Sequence, residues 1–109
     1  MEERQMIPKT FELLGRKWTV KLIEPDEAFF PNQGASGYTD PNTATVYIIM
    51  RKEESSEYRT ITFLHELLHA IWFSRGLGFG DEGHNEQEIE STALLLHQYE
   101  KTKKGEVEV

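Results

Sequence analysis

The sequence predicts an α+β domain: a small antiparallel sheet of about three strands packed against two main helices. Short β-favouring runs fill the first half of the chain, a long and almost wholly apolar helical segment follows, and a leucine-rich helical segment comes after a glycine-rich connection. At 109 residues the chain has the length of one ordinary domain, so 1–109 is read as a single unit, with 100–109 as a polar tail.

Phe11 to Leu14 and Trp18 to Ile23 are the first two strands, joined by a tight hairpin at Gly15, Arg16 and Lys17, and Pro25 ends the second. The stretch from Pro31 to Asn42 collects Pro, Gly, Asn, Asp and Ser and reads as an exposed loop holding Tyr38. Thr43 to Met50, rich in Thr, Val and Ile, is the third strand. Ser55 or Ser56 caps a helix running to about Arg75, where Gly76 stops it. Four glycines from Gly76 to Gly83 mark a flexible connection suited to gating. Asn85 then caps a second helix to about Lys103, with Glu88 in the capping-box position and Glu86 in the positively polarised first turn.

Composition narrows the function. The apolar fraction of 38% and charged fraction of 28% belong to a globular chain rather than a disordered one. With 12 Lys plus Arg against 19 Asp plus Glu, the net charge of -7 repels phosphate backbones and anionic membrane surfaces, so neither nucleic acid nor membrane is expected as a partner. There is no apolar run of membrane-spanning length and no secretory h-region, so a cytoplasmic location is expected. Cysteine is absent, and any metal must therefore be held by His, Asp or Glu.

The string His65-Glu66-Leu67-Leu68-His69 supplies such donors. Two imidazoles one helical turn apart share a face and can reach one ion, while Glu66 beside them can take a proton from a water that the ion has acidified and pass it to a leaving amine. Between Ile61 and Phe73 the only polar residues are Thr62, His65, Glu66 and His69, so the helix is expected to be buried, and buried polar groups need partners. Trp72 on the same helix reads as core.

Catalytic zinc takes three protein ligands, and the third must lie further along. The extended HExxHxxGxxH pattern fails, since Trp72 stands at its glycine position and Arg75 at its third histidine. The second helix offers Glu86, Glu88 and Glu90, with Asp81 and His84 before them. Glu86, Glu90, Ala93 and His97 share one helical face, while Glu88 is accounted for as a cap. Tyr38, Tyr58, Tyr99, His84 and His97 all qualify as donors to a developing oxyanion, with His97, on the Glu90 face, preferred among them although packing is the better account of that residue.

His65 to His69 followed by Glu90-Ser91-Thr92-Ala93-Leu94-Leu95-Leu96 resembles the small zinc peptidases of the ImmA/IrrE type, the minigluzincins, and their short phage-encoded members. In those proteins HExxH precedes a helix beginning ExxA, with a large apolar residue three positions on. Glu90, Ala93 and Leu96 match. The likeness spans roughly residues 37 to 99 and departs at Leu94, where Asn is common, and at Leu67, where many members carry Leu-Gly before the second His. The resemblance implies a Zn²⁺ ion held by His65, His69 and Glu90, with Glu86 the main competitor for the third position. It further implies Glu66 as general base and an extended peptide or protein substrate laid along the Thr43–Met50 strand. The rival expectation is a zinc-stabilised protein-binding module that hydrolyses nothing.

Overall fold

The computed structural model describes residues 7–27, 35–76 and 85–108. The fold is α+β: a four-stranded mixed sheet and two helices. Strands β1 (Thr10–Leu13) and β2 (Arg16–Ile23) form the predicted hairpin. Its turn is tighter than the sequence suggested, with only Leu14 and Gly15 outside the ladder. Their φ values of 51° and 78° are both positive, the geometry of a two-residue turn whose twist matches its strands. After β2 comes a short 3-10 turn, Pro25–Glu27.

The predicted loop from Pro31 to Asn42 contains, within its described part, the strand β3 (Gly37–Asp40). Gly, Tyr, Thr and Asp give this segment little apolar content, so what makes it a strand is its pairing with β4 (Thr45–Ile49). The turn between them is written in the residues: Asn42 N donates to Asp40 Oδ1 at 2.9 Å, and Thr43 Oγ1 donates to Asp40 Oδ2 at 3.0 Å, with Pro41 between.

The strand order is β1-β2-β4-β3. The chain leaves β2, enters β3 two positions across, and turns back so that β4 fills the gap, parallel to β2 and antiparallel to β3. The sheet has four strands and is mixed rather than three and antiparallel, and the strand at Thr45–Ile49 is interior, with β3 the edge strand on its side of the sheet and β1 the edge on the other. β4 is accordingly the best buried strand, with Val46, Ile48 and Ile49 at 0% exposure.

Helix α1 (Ser56–Ser74) lies between the sheet and helix α2 (Glu86–Thr102). Ser55 caps α1, its side chain accepting from Tyr58 N at 3.0 Å, and Gly76 follows the helix with φ 80°. On its sheet side Phe63 and Ala70 pack with Trp18, Ala44, Val46 and Ile48, and Phe11 stacks on Trp18 with centroids 6.1 Å apart. On its other side Leu68 meets Ile89 and Ala93 of α2, flanked by Leu64, Ile71 and Trp72. Trp72, expected in the core, is half-buried at the margin of this cluster. A helix buried on both sides explains the apolar run around the histidines. Asn85 caps α2, accepting from Glu88 N at 3.1 Å, and α2 carries residues 100–102 of the predicted tail. Among the described residues no helix is long and apolar enough to cross a membrane. The predicted gating connection lies, beyond Gly76, outside the described residues.

Leu14 occupies a left-handed position that β-hairpins normally give to Asn or Gly, and it is 86% exposed, so it contributes little packing in return. Leu14→Asn is expected to raise stability by about 1 kcal/mol in urea titrations without altering the fold; a loss of stability would contradict the turn geometry.

Candidate metal centre

α1 presents one face to a cleft of about 860 Å³. Tyr58, Ile61, Thr62, His65, Glu66, His69 and Phe73 recur on it at helical spacing. The opposite walls are the edge strand β3, through Gly37, Tyr38 and Thr39, and the inner edge of α2, through Glu86, Glu90, Ala93 and Leu94. Ser36 Oγ donates to Glu54 Oε2 at 2.8 Å, and Arg51 donates to the Ala35 carbonyl at 2.8 Å, fastening the entry of β3 to the segment that leads into α1.

His65 and His69 converge as predicted. Their Nε2 atoms lie 3.3 Å apart, and both face the carboxylate of Glu86, with Oε2 3.0 Å from His65 Nε2 and Oε1 2.9 Å from His69 Nε2. Two ring nitrogens bound to one tetrahedral zinc at about 2.0–2.1 Å are themselves about 3.3–3.4 Å apart, so the histidine pair has the separation of two corners of such a site. Two imidazoles and one carboxylate could hold such an ion and would leave a fourth position open. His65, His69 and Glu86 are the group of potential ligands that the described residues bring within 4.8 Å of one another.

Glu90, the third ligand implied by the resemblance, lies one turn beyond Glu86 on the same wall of the cleft and outside this cluster. Both glutamates share the face predicted for them; the antiparallel helix pairing brings the first-turn residue to the histidines. His84 and Asp81 lie outside the described residues. His97 is buried on α2 away from the cleft lining, and Tyr99 is 59% exposed. Tyr38 and Tyr58 are the predicted oxyanion donors that line the cleft.

Glu66 is 7% exposed. Burial pushes its carboxyl up from the usual range to about 7, opposed by a hydrogen bond from Thr39 and by the neighbouring His65, and reinforced by Glu86. Thr39 Oγ1 lies 2.7 Å from Glu66 Oε1 and 3.0 Å from the Glu66 carbonyl. A carboxyl near neutrality is poised to exchange protons at physiological pH, and a cation held at the adjacent histidines would draw it back down.

Thr39 and Gly37 are cleft residues that the sequence did not single out. A Cβ on Gly37 would stand 2.9 Å from Glu66 Cγ, 3.0 Å from Thr62 Cγ2 and 3.1 Å from the Tyr47 carbonyl oxygen. Only glycine lets the strand approach Glu66 this closely. The available signal was the Asp40-Pro41-Asn42 turn, which implies a strand immediately before it. Comparison of the chain with protein-family models, curated proteins and solved structures gave no match.

Two outcomes are expected. Gly37→Ala should lower stability by about 1–3 kcal/mol, measured by chemical denaturation, because strand or carboxylate must shift. In metal-free protein the raised carboxyl makes the folded state hold more protons than the unfolded chain, so the stability of the protonated form is present below pH 4.5 and lost as pH rises through about 7. Glu66→Gln removes this slope: its advantage over wild type should grow by roughly 3 kcal/mol between those limits. Parallel stability profiles for the two proteins would contradict the burial of an ionisable group there.

Proposed function

We propose that the chain is a zinc-dependent peptidase in which His65, His69 and Glu86 hold the ion and Glu66 is the general base. The observation that carries this reading is the convergence of two imidazoles and a carboxylate from a second helix onto one point of a cleft that the buried carboxyl of Glu66 also lines. The resemblance to ImmA/IrrE-type peptidases in the HExxH string supports it. Zinc in this position would polarise a peptide carbonyl and bring the pKa of a water towards neutrality.

The chain's own groups supply the remainder. Glu66 accepts the proton of the attacking water and delivers it to the leaving nitrogen. Thr39, hydrogen-bonded to Glu66 Oε1, fixes that carboxyl in one orientation. The edge of β3 bounds the cleft, and an extended peptide laid against it gains backbone hydrogen bonds as an added strand. Tyr38 and Tyr58 offer hydroxyls to charge developing on the carbonyl oxygen.

A second reading is favoured by one observation: Glu86 belongs to α2 and the histidines to α1, so an ion there would staple two helices joined by a small apolar patch. On that reading the metal stabilises a protein-binding module, and Glu66 is dispensable.

Elemental analysis of purified protein separates these possibilities from the absence of a site. Wild type and Glu66→Gln are expected to carry about one zinc per chain and Glu86→Ala much less, with Glu90→Ala retaining its metal. Loss in Glu90→Ala with retention in Glu86→Ala would move the third ligand one turn along the helix. With a quenched-peptide library, cleavage by wild type should cease on chelation and fall by about 10² to 10⁴ in Glu66→Gln. A zinc-loaded wild type that cleaves nothing would favour the binding module.

A further inference from the structure

The cleft continues past the three converging donors, and its continuation has a definite chemistry. The helices run antiparallel: Glu86 meets His65 and His69 at one end, and Lys101 Nζ lies 3.2 Å from Glu57 Oε2 at the other. Moving along α2 from Glu86 towards the Tyr58 end of α1, Glu90 and then Leu94 follow at one-turn intervals of about 6 Å. Both line the cleft, as do Tyr58 and Ile61 of α1. Leu94 is 50% exposed and Tyr58 48%. Glu90 is exposed and has no cationic partner among the described residues, whereas Glu57, Glu86 and Glu100 each face Lys or His.

A solvated helix face explains Glu88, which lies off the cleft. It does not explain Glu90, an exposed carboxylate that lines the same cleft as the histidines and as Leu94, Ile61 and Tyr58. That set of surfaces is complementary to a long amphipathic cation: an aliphatic stem covers Leu94 and Ile61, and the charged head reaches Glu90 with the tyrosine face beside it. The chain's net charge of -7 draws cationic peptides towards it.

We infer that the cleft selects peptides carrying Lys or Arg next to the bond presented to the metal centre, with Glu90 as the specificity-determining carboxylate. The inference rests on the peptidase reading for the position of that bond, and on Glu86 rather than Glu90 completing the metal site.

A binding measurement tests it without requiring turnover. Zinc-loaded Glu66→Gln protein is immobilised and exposed to a random decapeptide library, and retained peptides are sequenced; Glu66→Gln/Glu90→Gln and Glu66→Gln/Glu90→Lys are treated alike, with zinc content measured for each. Lys and Arg should be enriched about fivefold or more at one position on the first protein, lose that enrichment on the second at unchanged zinc content, and give way to Asp and Glu on the third. No enrichment, no retained peptides, equal enrichment on the Glu90→Gln background, or loss of zinc with Glu90→Gln would each overturn the inference. Failure of the peptidase reading looks different: selective retention persists while zinc-loaded wild type leaves the retained peptides intact.

Discussion

The close approach of strand β3 to helix α1 is the constraint on which the site depends. Thr39 and the side chain of Glu66 meet at hydrogen-bond distance only because Gly37, two residues earlier, has no side chain to hold the backbones apart. That contact orients the carboxylate and joins β3 to α1 along one wall of the cleft. A strand with so little apolar surface does not hold this place unaided. Its hydrogen bonds to β4, the Asp40 turn, and the Ser36 and Arg51 contacts at its entry keep it there.

The second organising fact is the double burial of α1. Its sheet side and its α2 side each carry an apolar cluster, which leaves a narrow lane of the helix for polar chemistry. His65, Glu66 and His69 all lie in that lane. Because the helix is packed on both sides, the backbone that carries the two imidazoles is held in place from the sheet and from α2.

Much of this was legible in the sequence. The class of fold, the hairpin, both helices, their caps at Ser55 and Asn85, and the convergence of His65 and His69 follow from local rules: turn chemistry, periodicity and i,i+4 geometry. The parts that escaped are non-local. Whether Gly37 to Asp40 is loop or strand depends on a partner that follows it, and local composition argued the wrong way. Which glutamate of α2 faces the histidines depends on how far one helix slides along the other, and Glu86 and Glu90 lie on the same face, so periodicity could not rank them. The parallel pairing of β2 with β4 required knowing that β3 lies outermost.

For an ion bound by these residues, the division of donors between the helices would impose a kinetic order. The histidine pair belongs to one rigid element and forms a preset landing point, whereas Glu86 arrives from the first turn of another, with its side chain 67% exposed. Where an ion lands would therefore be decided by α1, and how long it stays by how firmly α2 is seated. Residence time would then be a property of the Leu68, Ile89 and Ala93 contact as much as of the ligands. A substitution in that apolar patch, remote from any coordinating atom, would act on the metal as a change in its rate of escape.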